Sequence, residues 1–122
     1  MKQISLGRHR LKVPPIVLGS AVMREMDGFP IFGKTDEKQV VSTIHRSLEL
    51  GGNFLDIADP NHLPENEKLI GRAIEGKRDQ YILAAKFRYG TDDIGHFARQ
   101  TGDKRAYVKN TVERTLKNLG TD

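Results

Sequence analysis

Three short apolar runs, each followed by a stretch of helical period, constrain this chain more than any other feature. The runs are "IVLGS" (16–20), "NFLDIA" (53–58) and "YILAAKF" (81–87). Each is short, bounded by turn residues and almost wholly apolar, as strands of a parallel sheet covered on both faces are. After the first run and a loop rich in Gly, Pro and charge, Val40, Val41, Ile44 and Leu48 fall on one helical face. Asp36 can cap that helix, with Gln39 at capping-box spacing, and Gly51-Gly52 end it. After the second run, Leu69, Ile70, Ala73 and Ile74 form the stripe of a helix over about 65–75, closed by Gly76. After the third, Asp103 can cap a helix with Val108, Val112, Leu116 and Leu119 as its apolar stripe, and Gly120 stops it. Strands alternating with amphipathic helices predict an α/β fold: a small parallel sheet with right-handed crossovers.

A short hairpin precedes these units. Gly7 lies between Ile4/Leu6 and Leu11/Val13, whose apolar residues alternate, and Pro14-Pro15 follow. The 122 residues suit a single domain, 1–122. The chain has no cysteine, which excludes disulfides, thiol catalysis and Cys-based zinc sites, and no metal site is expected. The stretch "VPPIVLGSAVM" is too short and too broken by proline to span a bilayer, and the N-terminus lacks a signal-like apolar core. A cytoplasmic protein is the expectation. The net charge of +4 comes from basic residues interleaved with acidic ones, which reads as a solvated surface. Around the third helix, Lys104, Arg105, Lys109, Arg114 and Lys117 mix with Asp103 and Glu113 and have no aromatic platform, which points away from a nucleic-acid partner.

In parallel α/β folds, functional groups gather at the carboxyl ends of the strands. Those ends carry Gly19 and Ser20, then Asp56 to Asn61, then Lys86 to Tyr89. Asp56 and Lys86 would lie on adjacent strands at the same end. Such a pair can polarise a phenol or a substrate oxygen, or it can be a structural ion pair at a sheet edge. Spacing alone gives the two equal weight.

Across nearly all of its length the chain resembles the N-terminal part of an aldo-keto reductase. "LGRHRLKVPPIVLGS" is similar to the family's opening hairpin and first strand. "LELGGNFLDIAD" resembles the stretch that delivers its active-site aspartate, "ENEKLIGRAI" its second helix, and "ILAAKF" the strand bearing its lysine. "VKNTVERTLKNLGTD" resembles the third helix and the lead-in to a fourth strand. The resemblance implies a partial (β/α)8 (TIM) barrel: the N-terminal hairpin plus about three βα units. It implies NADPH as cofactor and small aldehydes or ketones as substrates. It also implies a tyrosine as proton donor, a lysine that acidifies it, an aspartate paired with the lysine, and a histidine that orients the carbonyl. The aspartate matches Asp56 and the lysine Lys86. Gly19, Ser20 and Asp56 match positions near the nicotinamide. The tyrosine should fall five residues after the aspartate, where this chain has Asn61, followed by His62. The histidine would lie on a fourth strand, beyond Thr121-Asp122. His62 could substitute as a donor, since imidazole titrates near neutrality. Tyr89 is a phenol on a different loop. Asn61 can only hydrogen-bond.

Three strands leave two open edges, and a sheet apolar on both faces cannot keep one of them wet. Ile16, Leu18, Phe54, Ile82 and Ala84 are candidates for that uncovered surface. Burial between copies is the expected remedy, which predicts a homo-oligomer, by default a symmetric dimer. The functional expectation is an NADPH-dependent reductase of small carbonyl compounds whose site an oligomer rebuilds. The alternative is a non-catalytic remnant or interaction module of the same fold.

Overall fold

A computed structural model describes residues 1–21, 23, 36–57, 64–86 and 103–122. Strands β1 (Ile4–Leu6) and β2 (Leu11–Val13) form the antiparallel hairpin, with Ile4 opposite Val13 and Leu6 opposite Leu11. Strands β3 (Leu18–Gly19), β4 (Phe54–Asp56) and β5 (Ile82–Ala84) form a parallel sheet in the order β3-β4-β5. Helices α1 (Glu37–Glu49), α2 (Pro64–Ile74) and α3 (Lys104–Leu119) complete the fold, with a 3-10 turn at Arg78–Gln80 before β5. The partial-barrel reading holds. The strands are shorter than the apolar runs that announced them. Among the described residues no helix is long and apolar enough to cross a membrane.

The core lies between one face of the sheet and the helices. Leu55 and Ile57 point into it beside Val40 and Ile44 of α1 and Leu69, Ile70, Ala73 and Ile74 of α2, all nearly or fully buried. Full burial of an aliphatic side chain of this size is worth about 1.5–3 kcal/mol, so these positions carry most of the fold's stability. Register explains the other face. Parallel partners share a face, so the pairs Leu18–Leu55 and Leu55–Leu83 look toward the helices. Phe54–Ile82 and Asp56–Ala84 look the other way and are only half-buried. Leu18 therefore belongs to the packed face, which corrects its place among the uncovered candidates, while Ile16 is 68% exposed. The hairpin is tied to the end of α1 by the Met1 ammonium, which donates to the Leu50 carbonyl, and by Gln3 Nε2, which donates to the Gly51 carbonyl. Its Ile4, Leu6 and Leu11 are exposed.

Helix α3 departs from its predicted orientation. Both expected ends are correct: Asp103 accepts from the Ala106 amide, and Gly120 takes the left-handed conformation that a C-terminal glycine favours. The buried residues, however, are Tyr107, Thr111, Thr115 and Leu119, whereas Val108 and Val112 are exposed and Leu116 half-buried. The helix is rolled by about one residue, roughly 100°. The cause sits on α2. Glu67 is fully buried, and a buried carboxylate must be hydrogen-bonded. Thr115 Oγ1 donates to its Oε1 at 2.9 Å and Asn118 Nδ2 to its Oε2 at 2.7 Å. Close approach is possible because Gly71 of α2 lacks a side chain: a Cβ there would stand 2.7 Å from the Leu119 carbonyl oxygen.

Candidate active site

The carboxyl end of the sheet is built by three successive strand ends. Gly19 pairs with Asp56 and Asp56 with Ala84, so the three stand side by side on the face away from the helices. Backbone bonds extend the ladder past the strands: Ser20 N–H donates to the Asp56 carbonyl at 2.9 Å, and Ile57 N–H to the Ala84 carbonyl at 2.8 Å. Lys86 lies two residues beyond β5. Its Nζ returns across the sheet to donate to Asp56 Oδ1 and, at 3.1 Å, to the Ile57 carbonyl. The alternation of the strand places Lys86 on the same face as Asp56 and Ala84. An ammonium has three N–H groups, and two are engaged among the described residues.

The pair is half-exposed on both sides. Ion pairs in such surroundings contribute only about 0–1 kcal/mol to stability, because water already solvates both charges. The fold does not depend on it. Its effect is positional, holding an ammonium at the mouth of the sheet where a third group can meet it.

Ser20 and Gly19 shape the floor beside this pair. Among the described residues nothing lies within 4 Å of where a Gly19 Cβ would point. Ser20 is buried, and its hydroxyl and carbonyl both accept from Asn66 Nδ2, at 3.0 and 3.1 Å. What Ser20 offers a ligand is therefore its backbone setting and not a free hydroxyl. Asn66, in the first turn of α2, is a site-shaping residue that sequence reasoning missed. It is fully buried, its Oδ1 meets no hydrogen-bond partner among the described residues, and it fastens the turn after β3 to the helix following β4. Its only signal in the sequence is a polar residue three positions before the apolar stripe opens at Leu69, which a helix start shows whether or not it has such a function.

Asn61, His62 and Tyr89 lie outside the described residues. The structure thus joins Asp56, Lys86 and Gly19 in one place and sets Ser20 just beneath. Among the described residues no three His, Asp or Glu side chains come together as a metal site would require. Among the described residues, a glycine beside an ion pair leaves no side chain in the way of a flat ring such as the nicotinamide that the resemblance implies. The described residues do not by themselves make a site for a whole dinucleotide.

Comparison with known proteins agrees with this geometry. Residues 15–122 match the family model described as the aldo/keto reductase family. Over all 122 residues the chain is 35% identical to an uncharacterized oxidoreductase, YqkF, of Bacillus subtilis, of which it covers 36%. Over 97 residues it is 36% identical to the B. subtilis aldo-keto reductase YhdN, of which it covers 28%. The holo form of an aldo-keto reductase from Bacillus halodurans superposes on the whole chain with a TM-score of 0.70 and 27% identity, and 37% of that protein is covered. An aldo-keto reductase from Klebsiella pneumoniae, solved in complex with NADPH, shares the fold with a TM-score of 0.66 at 20% identity over all of this chain and 37% of its own. The chain thus spans about a third of the length of the proteins it matches. With the family match running from the first βα unit to Asp122, and with Asp56 and Lys86 joined where the fold gathers its chemistry, the chain belongs to the aldo/keto reductase family.

Proposed function

We propose that this chain carries the aspartate–lysine half of a reductase site for small aldehydes or ketones, with NADPH as the hydride source. The observation that supports the reading is the Asp56–Lys86 contact at the carboxyl end of the sheet, on the face away from the helices. In this role Asp56 orients the lysine, and the Ile57 carbonyl fixes its second N–H. The remaining N–H faces whatever hydroxyl or imidazole acts as proton donor, and a cation there favours the donor's deprotonation. The donor and the cofactor's phosphates require groups beyond those described above. Asn61 stands where the family's tyrosine would, which leaves His62 as the neighbouring group able to give a proton.

The test is NADPH oxidation with a panel of aldehydes, comparing the wild-type chain with Lys86→Met. Loss of turnover with an unchanged melting temperature is expected, because the pair contributes little to stability. Turnover indifferent to the substitution would refute the role of Lys86. Absence of NADPH binding by calorimetry would refute the reductase reading itself. A second reading, a non-catalytic member of the fold, is favoured by Asn61 at the tyrosine position. Robust turnover by the purified chain excludes it.

A further inference from the structure

Two neighbouring residues of α2 are polar and fully buried, and the packing of the helices accounts for only one of them. Glu67 is bonded to Thr115 and Asn118 of α3. Asn66 is bonded instead to the end of the sheet. A buried amide serves stability less well than an aliphatic side chain of the same shape, because burial strips its water. What it adds is direction. Its partner, the Ser20 carbonyl, can only accept, so the amide nitrogen must be the atom turned toward Ser20. From Ser20 the bonds run on. Ser20 N–H donates to the Asp56 carbonyl at 2.9 Å, and the N–H of that same peptide, which belongs to Ile57, donates to the Ala84 carbonyl at 2.8 Å. The Asp56–Ile57 peptide is thus held at both ends. The two acceptors of Lys86, Asp56 Oδ1 and the Ile57 carbonyl, flank this one peptide. A tilt of the peptide moves both.

We infer that Asn66 is a positioning residue for the Asp56–Lys86 pair and acts on it through Ser20. The Ser20 carbonyl also accepts from Met23 N–H at 3.0 Å, so the turn after β3 keeps a closing bond of its own when the amide is removed. What is lost is the tie that sets this turn against α2. With it goes the angle at which Ser20 presents its N–H to Asp56. Lys86 registers that change readily. Its side chain is half-exposed, and water competes for any N–H that a displaced acceptor releases. As a role in catalysis this rests on the reductase reading of the pair. There, a displacement of about 1 Å in a charged group that must meet a proton donor can cost about 100-fold in rate.

The experiment reads the pair directly, without cofactor or substrate. The full 122-residue chain is treated with sulfosuccinimidyl acetate, and acetylation of Lys86 is followed by mass spectrometry against the exposed Lys77 of the same molecules. Asp56→Asn removes the counter-charge and sets the scale: Lys86 should react severalfold faster. Asn66→Asp keeps the shape of the side chain and removes the donor. It should raise the Lys86 rate severalfold as well, and the Ser20 amide should exchange its hydrogen about tenfold faster, the change expected when one hydrogen bond is weakened. Asn66→Leu repeats the test without burying a charge. Ile70→Val destabilises the core, has no bond to Ser20 and should leave Lys86 at the wild-type rate. A Lys86 rate unmoved in a folded Asn66 variant overturns the inference. A rise at Lys86 with an unchanged Ser20 amide does so too, because the effect then bypasses Ser20. An equal rise in Ile70→Val reduces it to general loosening, and loss of the fold in both Asn66 variants makes Asn66 a residue of stability; either result overturns it. Turnover is not read in any arm, so a chain that reduces no aldehyde would end the reductase reading and leave these outcomes standing.

Discussion

Helices α2 and α3 pack against each other, and both carry a regular apolar stripe, yet they use it in opposite ways. In α2 the stripe is the core: Leu69, Ile70, Ala73 and Ile74 are all buried against the sheet. In α3 the stripe looks outward along β5, and the buried positions include Thr111 and Thr115. The difference teaches which force sets a helix's roll. Turning Val108 and Val112 inward would gain apolar burial. It would also strip Glu67 of Thr115 and Asn118, and an unsatisfied buried carboxylate costs more than two half-exposed valines gain. The polar group on α2 decides the face that α3 presents.

That contrast can be broken at its apolar side first. Ile70 is fully buried within the core cluster. Ile70→Ala should lower unfolding free energy by about 2–5 kcal/mol, read from urea denaturation. A loss under 1 kcal/mol, of the size expected for a surface position, would mean that α2 does not carry the core.

Two substitutions probe the contact between the helices. Glu67→Ala leaves Thr115 Oγ1 and Asn118 Nδ2 facing an apolar hole, and a loss of about 1–3 kcal/mol is expected. Gly71→Ala should cost a similar amount, about 1–3 kcal/mol, because the clash is with the rigid Leu119 carbonyl and not with a flexible side chain. If α3 instead rolled its valines inward in Glu67→Ala, Val112 would lose its exposure. Footprinting of that residue by hydroxyl radicals would show the change.

A smaller effect separates the core from the surface by pH. Tyr81 is buried, and its hydroxyl donates to the Ile44 carbonyl at 3.3 Å. Burial raises its pKa above the ordinary value of 10.0 by penalising the phenolate. The folded state thus holds the phenol proton more tightly than the unfolded chain. The stability it contributes is complete below about pH 10 and is lost as pH rises through the folded-state value. Tyr81→Phe should flatten that alkaline loss. A stability profile above pH 10 identical in the two proteins would show that Tyr81 is not the titrating group.

Reading the sequence worked where one period answers one question. The three βα units, the caps at Asp36 and Asp103, the stops at Gly76 and Gly120 and the stripes of α1 and α2 follow from local chemistry. The placement of Asp56 and Lys86 at neighbouring strand ends follows from strand order. The roll of α3 was not legible, because period reports that a helix is amphipathic and not what its neighbour needs. Glu67 looks in sequence like any charged residue in a first turn, and only its contacts reveal a buried acceptor. Asn66 was hidden for the same reason. Its bond to Ser20 joins residues 46 positions apart, a distance no local pattern encodes. Leu18 was misplaced because a run apolar at every position does not say which residues share a face until register is known.

The smallest expected effect tests the contrast from the α3 side. Val108 and Val112 read in sequence as core, with the same spacing as Ile70 and Ile74. If sequence pattern alone ruled, Val112→Ser would cost as much as a core truncation. The observed exposure of 47% instead predicts a change within about 0.5 kcal/mol in the isolated chain. The same should hold for Val108→Ser, at 37% exposure. Urea denaturation of the two variants beside Ile70→Ala puts the three positions on one scale. Equal losses at Val112 and Ile70 would place the stripe of α3 in the core. Near-neutral valines beside a costly isoleucine would show that the stripe lies outside the packing that holds α3 on α2.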